Sequence, residues 1–575
     1  MIKMMRYFTR LAVSLVLMAC CVFTASALDK SYYADNSVLA SGKWVKIGVS
    51  ESGIYQITAD DIRRWGLGSD LTQIHVFGYG GKPLSEMMLG DNYADDLPQV
   101  PVVRTGDRIL FYAQGPVSWQ FFAGDMGHVY YPSDIEHLQV QHPYARTACY
   151  LVTNDSRFKD IEITKATNRP TGDVVTTYTE RLYHELENIN PGETGRNFLG
   201  EDFKSNRRQL FKFNLDGLVS GSQVKSYTLF GAYVPSVYST ITHSINGAAL
   251  PVTRTDSIRQ IGKAAHVHYF INGDRTGNSN IRNGSVKTFT LNGTTELNYG
   301  LDFGCSGEVG LARLDFITIN YERQLALRGK QLTFGLNDAS AGKSYRVSEC
   351  GSATHVWDVT SPYALVELNA VASDGTVTFS PMKDGRQEFV VFDESGSFLD
   401  PEYLDEVPNQ DIHGEPTPDM IILAPSAYLE QAYRLADLHE EFDRFRVLVL
   451  DHEKVFNEFS SGTQDAMAYR RLCKMFYDRG KSEDGHRLGY LLLLGCGSYD
   501  NRLIGTDANL LNYPHLLTWQ SELSSDDNNS ITTDDYFGVL KITFAFKNDG
   551  MTLYANKIAE WFLDDYVGTA TGHIA

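Results

Sequence analysis

The chain has 575 residues, a hydrophobic content of 43%, an aromatic content of 12% and a formal net charge of -20. This length is too great for one core and predicts three or four domains, and the composition excludes wholesale disorder. The strong negative charge argues against nucleic acid as a partner, because contacts to phosphates dominate such binding.

The N-terminus has the pattern of a secretory signal peptide over residues 1–27. Lys3, Arg6 and Arg10 supply the positive region, Leu11 to Phe23 the apolar region, and Ala25-Ser26-Ala27 a cleavage site. An apolar run of about thirteen residues is too short to span a membrane, so we expect cleavage before Leu28 and export. Lipidation at Cys20, within Leu17-Met18-Ala19-Cys20, is the alternative.

Two β-rich regions follow, a module over residues 28–165 and a region predicted to form one or two antiparallel sandwiches over 166–410. Alternating apolar residues in Trp44–Val49 and Ile54–Ile57 predict a hairpin, and Thr58 with Asp61 predicts a helix-opening capping box. The Gly-rich stretch Phe77–Gly81 suits a phosphate loop in composition but lacks the following Lys-Ser/Thr pair and helix, which favours a turn.

After a Pro-rich acidic linker at 411–418, residues 419–575 are predicted to form a partial α/β domain. Apolar strands at Met420–Ala424, Phe445–Leu450 and Tyr490–Leu494 alternate with helical patterns, which predicts right-handed crossovers and a parallel sheet. Ligands of such sheets bind at the carboxyl ends of the strands.

Two kinds of site are candidates near that edge. Cys496 follows the last predicted strand, where a nucleophile would be presented, but no His partner is evident for it. Asp534 and Asp535 in an acidic loop are candidate calcium ligands, with a solvated loop as the alternative, and no other cofactor is predicted. His452-Glu453 lacks the second His that zinc peptidases place one helical turn on.

Several motifs, in order along residues 35–540, resemble the gingipain-like cysteine peptidases that act as surface sortases of the type IX secretion system of Bacteroidota. The motifs are Gly42–Ile47 with Ser52–Tyr55, Val76–Gly81, Asp96–Pro98, Ile109–Gly115, Gly195–Phe198, Phe459–Thr463 with Ala468–Arg471, Gly497–Arg502 and Thr533–Gly538.

The resemblance implies a caspase-like α/β catalytic domain that removes the C-terminal sorting domain of exported cargo and joins the cargo to anionic lipopolysaccharide. It also implies partners in the outer-membrane attachment complex, and a place on the cell surface, or in the periplasm if export stalls. The chemistry would be acyl transfer from a thiolate to an amine or water, with a His moving the proton.

Two departures concern the catalytic residues. The family's catalytic His and Cys follow the segment matched by Thr533–Gly538 at a long interval, so we expect both beyond Ala575 and the chain to be truncated before the dyad. His573 is a weak echo of the family's Gly-His-Gly, and the family usually has Asp where this chain has Cys496. A truncated gene, a frameshift or a fragmentary record would each explain this pattern, and a non-enzymatic surface module that docks on the attachment complex is the alternative function.

Overall fold

The structure is a computed structural model, and most of the chain between residues 30 and 532 is described. The described residues are 30–85, 94–120, 135–189, 198–233, 239–253, 257–260, 270–272, 284–305, 311–495, 497–498, 500–504, 514–517, 524–525 and 531–532. The segment 1–27, Cys496, Asp534, Asp535 and His573 lie outside them. In the described part, no helix has the length and apolar character needed to cross a membrane.

The front module packs a five-stranded sheet against a three-stranded one around Val45, Phe111 and Tyr150. In sheet order, the larger sheet consists of Glu402–Val407, Trp44–Val49, Ala148–Thr153, His75–Phe77 and Gln99–Val100, and the smaller of Gly53–Thr58, Arg108–Ala113 and Val102–Arg104. Helix Ala59–Arg64 begins at the predicted capping box of Thr58 and Asp61. The strands Val117–Gln120 and Leu138–Gln141 pair antiparallel with each other.

A second unit is a sandwich whose two sheets enclose Phe230, Tyr299 and Leu314. One sheet contains Thr177–Glu185, Leu311–Gln324, Val224–Tyr233 and Ser285–Phe289; the other contains Arg208–Asn214, Glu296–Cys305, Ser239–Ile245, Ala248–Ala249, Ser257–Gln260 and Phe270–Asn272.

A third unit is a sandwich around Phe334, Phe379 and Phe389. Its sheets contain Thr164–Lys165, Val366–Glu367, Thr354–Asp358, Gly385–Asp393 and Gln331–Ala339, and Val174–Val175, Ser344–Val347, Thr376–Phe379 and Val371–Ser373. The prediction of antiparallel sandwiches is thereby confirmed.

The last unit is an α/β layer structure, as predicted. Met420–Ala424 is the central strand, paired in parallel with Val447–Asp451 on one side and Tyr490–Leu493 on the other. Helix Leu429–Phe442 covers one face of the sheet, and helices His452–Phe459 and Met467–Arg479 cover the other. The sequence favours a polar helix surface at His452-Glu453, and a helix His452–Phe459 is present, but five of its eight residues are buried.

Short elements complete the described part. They are the 3-10 helices Lys30–Tyr32, Val38–Ala40, Leu71–Gln73 and Ser426–Tyr428, and the paired strands Ser524–Ser525 and Ile531–Thr532.

The segment between the sandwiches and the α/β unit packs closely on its neighbours. Glu402–Val407 pairs antiparallel with Trp44–Val49, so the chain returns to the front module before it enters the α/β unit. Ile412 and His413, in the predicted linker, are buried. The front module and the α/β unit are therefore in direct contact.

Candidate functional site at the carboxyl edge of the parallel sheet

The carboxyl edge of the parallel sheet is the candidate functional site. The chain leaves the central strand Met420–Ala424 for one neighbour and then crosses to Tyr490–Leu493 on the other side. Ligands of open α/β sheets bind where the strand order reverses in this way. The crevice therefore belongs between the ends of these two strands, at Pro425 and Gly495.

Pro425 and Leu516 line the described part of this crevice. A Cβ atom added to Gly495 would lie 3.4 Å from both the Pro425 ring and the Leu516 side chain, so Leu516 sits directly over the end of the strand. Leu516 and Leu517 are buried, and the Leu517 N–H donates to the Tyr469 hydroxyl at 3.4 Å. The segment 514–517 thus forms one apolar wall of the crevice.

His452 is the imidazole that the described fold places at the end of the neighbouring strand. Asp451 caps the helix that begins there, because its Oδ1 accepts from the Glu453 N–H at 3.0 Å. His452 Nδ1 lies 3.2 Å from the Tyr469 hydroxyl and its ring packs on Phe456. Burial lowers the pKa of His452, with Glu453 and Asp451 opposing and His515 adding to the decrease, so the ring is neutral at pH 7.

Metal binding has no support in the described residues, where no cluster of three His, Cys, Asp or Glu side chains is suited to hold an ion. The sequence analysis weighed His452-Glu453 as a zinc pair against a polar helix surface and did not predict its place at the crevice. The sequence signal that could have found this place is the polar pair Asp451-His452 directly after the predicted apolar strand Phe445–Leu450.

Three cysteines whose side chains are described, Cys149, Cys350 and Cys473, are unsuited to nucleophilic attack. Burial raises the pKa of Cys473 to about 12 and that of Cys149 to about 11, and it also raises the pKa of Cys350. A nucleophilic cysteine needs a pKa near or below neutrality. Cys496, the remaining candidate near this edge, lies outside the described residues, as does His573.

The loop that follows the third strand is anchored on the second unit by Arg502. Its side chain is 4% exposed and forms two hydrogen bonds to the Glu187 carboxylate, with Nη2 to Oε1 at 2.5 Å. The guanidinium also lies over the Phe198 ring, 5.5 Å from its centre. Phe198 and Arg502, which belong to two motifs far apart in the sequence, thus meet beside the crevice.

A buried polar cluster joins the α/β unit to the front module. Glu458 accepts hydrogen bonds from Gln410 Nε2 at 2.9 Å, from the Ile412 and His413 N–H groups at 3.0 and 2.8 Å, and from His413 Nδ1 at 2.5 Å. His413 Nε2 lies 3.3 Å from Asp95. Burial opposes the charged imidazole, but the hydrogen bonds to Asp95 and Glu458 raise the pKa of His413 to about 10.

The motif Phe459–Thr463 extends this contact. The Thr463 hydroxyl accepts from the Cys149 N–H at 2.8 Å, and Ser461 donates to the Cys149 carbonyl at 3.0 Å. The Arg471 guanidinium lies 4.5 Å from the centre of the Tyr79 ring. The α/β unit is thus held to the front module along a continuous polar seam.

Comparison with known proteins finds a family match for the α/β unit. Residues 413–572 match the family model described as peptidase family C25. No curated protein matches the chain.

The whole chain resembles PorU of Porphyromonas gingivalis. It matches the crystal structure of dimeric latent PorU with a TM-score of 0.73 and 29% identity, covering 90% of this chain and 47% of that one. A virus capsid, the infectious bursal disease virus VP2 particle, is also matched, at 9% identity over 71% of this chain and 91% of that one, but its TM-score of 0.15 carries no weight. The C25 match and the PorU-like structure together support a cysteine-peptidase-type function. The chain spans about half of the PorU chain that it resembles.

Proposed function

We propose that this protein is a cysteine-type sortase of the type IX secretion system, with its substrate crevice at the carboxyl edge of the parallel sheet. The observation that carries the proposal is the C25 match, which falls on the unit whose strand order creates that crevice. The PorU-like arrangement of the β-rich units around it is the second support.

The proposed reaction is acyl transfer. A thiolate attacks the carbonyl carbon of the peptide bond before the sorting domain, the sorting domain leaves with a proton from the catalytic His, and an amine then displaces the thiol from the acyl-enzyme. The substrates are exported proteins with C-terminal sorting domains, the amine belongs to anionic lipopolysaccharide, and the site of action is the outer-membrane surface. The reaction needs a reactive Cys–His pair, and burial raises the pKa of Cys149, Cys350 and Cys473 away from the range of a nucleophilic thiol.

The test uses the protein expressed from its complete reading frame and a fluorescent cargo fused to a sorting domain. We expect release of the sorting domain and a cargo–glycinamide conjugate in the mass spectrum when glycinamide is the amine, and loss of both after alkylation with iodoacetamide. Release without conjugate would indicate a peptidase that is not a sortase. If neither the released sorting domain nor the conjugate forms, the result favours a non-enzymatic docking module.

Cys496 provides the matched control. The resembling family usually has an acidic residue there, so we expect Cys496→Ser to retain turnover in the complete protein. The polypeptide 28–575 alone, which has no cysteine after Cys496, should show none. Turnover by 28–575 that Cys496→Ser abolishes would instead make Cys496 the nucleophile.

A further inference from the structure

The first described residues, 30–40, lie across two units of the molecule. They form two short 3-10 helices, Lys30–Tyr32 and Val38–Ala40. Tyr33 is 5% exposed and lies in the hydrophobic cluster of the α/β unit, whereas Leu39 is fully buried in a cluster of the front module. We call residues 30–40 the strap, because its two apolar anchors are buried in different units.

Helix Met467–Arg479 of the α/β unit binds the strap through the side chains of its last turn. The Tyr33 hydroxyl donates to Asp478 Oδ2 at 2.6 Å, and Arg479 Nη2 donates to the Ala34 carbonyl at 2.9 Å. The Asp478 side chain is fully buried. Because a hydrogen bond lost from a buried carboxylate is costly, the α/β unit itself is less stable without Tyr33.

The front module and the linker bind the backbone of the strap. Three aspartates accept hydrogen bonds from its N–H groups, each at 2.7 Å. The pairs are Asp95 with Ala34, Asp411 with Ser37, and Asp96 with Val38. Hydrogen bonds to ionised carboxylates are roughly twice as strong as those between neutral groups. The strap is therefore fixed by its backbone between its two apolar anchors.

Asp95 connects the strap to the buried polar cluster around Glu458. Its Oδ2 accepts from the strap, and its Oδ1 lies 3.3 Å from His413 Nε2. His413 Nδ1 in turn lies 2.5 Å from Glu458, which belongs to helix His452–Phe459 of the α/β unit. Binding of the strap and docking of the α/β unit on the front module therefore share one carboxylate.

The strap is held as a peptide ligand is held, rather than by pairing within a sheet. None of its residues belongs to a β-strand, and its N–H groups at 34, 37 and 38 donate to side chains. Exposed residues, Tyr32, Asp35 and Asn36, alternate with the buried anchors. Release of the strap thus breaks no strand pairing.

We propose that the strap is a peptide ligand carried by the chain itself, and that its binding controls how tightly the α/β unit docks on the front module. A bound strap joins the two units through Tyr33 and Leu39. A displaced strap leaves the α/β unit held by the polar seam and the linker. This inference does not depend on the proposed catalytic function, and each can fail without the other.

The experiment is hydrogen exchange of the full-length mature protein and its variants, measured by mass spectrometry. Tyr33→Ala should accelerate exchange in helix Met467–Arg479 by roughly tenfold or more, because it removes an apolar anchor and the hydrogen bond to Asp478. Leu39→Ala should accelerate exchange in the same helix, although Leu39 lies in the front module, because the strap binds as one piece. Tyr32→Ala is the matched control, since Tyr32 is 38% exposed, and should leave exchange unchanged.

A synthetic peptide of residues 28–42 distinguishes strap binding from a general loss of packing. Added in large excess to the Tyr33→Ala variant, it should restore slow exchange in the helix, because the free peptide replaces the weakened strap. The same peptide with Tyr33→Ala should not. The proposal is overturned if Leu39→Ala leaves the helix unchanged, if Tyr32→Ala acts like Tyr33→Ala, or if the peptide of natural sequence restores no protection.

Discussion

The two faces of the parallel sheet are covered in different ways. Helix Leu429–Phe442 lies on the outer face and buries mainly Ala432 and Ala436, while Phe442 is 73% exposed. Helices His452–Phe459 and Met467–Arg479 lie between the sheet and the front module, and most of their residues are buried, several charged ones included.

The inner helices can bury charge because the front module and the linker supply partners. Lys474 Nζ donates to Asp478 at 2.8 Å and the Tyr33 hydroxyl donates to the same carboxylate at 2.6 Å, with Lys474 and Asp478 fully buried. Glu458 is likewise satisfied by residues 410–413. Without these partners, the same charges would be strongly destabilising. The inner face therefore depends on the packing of distant segments, whereas the outer face depends only on its own helix.

The largest decrease in stability is expected from a substitution at Glu458, and it tests the contrast between the two faces of the sheet. Glu458→Ala removes an acceptor of four hydrogen bonds. The protonated His413 then keeps one of its two carboxylate neighbours, Asp95. We expect the free energy of unfolding to fall by about 3–5 kcal/mol. Chemical denaturation measures it, with Glu440→Ala on the exposed side of the outer helix as the control. An equal, small effect of both substitutions would contradict the contrast.

The second-largest decrease in stability is expected in residues 497–504, the loop beside the crevice. Arg502→Gln leaves the Glu187 carboxylate without its guanidinium partner, and we expect a loss of about 2–4 kcal/mol. Hydrogen exchange should show faster opening of residues 497–504 than of the strand Met420–Ala424. Unchanged protection of the loop would mean that Arg502 does not anchor it.

A smaller, pH-dependent effect is expected from His413. Its pKa is raised in the folded state to about 10, so its contribution to stability is complete below about pH 6.5 and is lost as the pH rises towards 10. We expect the wild type to lose on the order of 2 kcal/mol between pH 7 and pH 9, and His413→Gln to lose much less over that window.

Asp96 does not interfere with this measurement, because burial raises its pKa only to about 6 and its titration is nearly complete at pH 7. If the free energy of unfolding decreases equally between pH 7 and pH 9 in the wild type and in His413→Gln, then His413 is not the cause of the decrease.

The smallest effect is expected on the outer face. Phe442→Ser changes a side chain that is mostly in solvent, so the free energy of unfolding should change by less than about 0.5 kcal/mol. A thermal melt that shows a large decrease for this variant would mean that Phe442 is buried in solution, and the outer face would then resemble the inner one.

The sequence alone determined the elements whose causes are local. The strands Met420–Ala424 and Tyr490–Leu493 follow from unbroken apolar runs, and the helix after Thr58 follows from a capping box, because the residues that decide these structures are neighbours in the chain. The resemblance to PorU could also be recognised from short motifs, because the residues of each motif are neighbours in the sequence.

Only the tertiary structure decided which charges are buried and which partners they meet. The charged residues of His452–Phe459 are typical of a helix surface in solvent, whereas Glu458 is buried against residues 410–413. Arg181 and Arg386 each resemble an ordinary surface cation in the sequence, and only the folded chain brings both of them to the Glu388 carboxylate. Electrostatic energy depends on distance in space, and the folding of distant segments onto one another sets that distance.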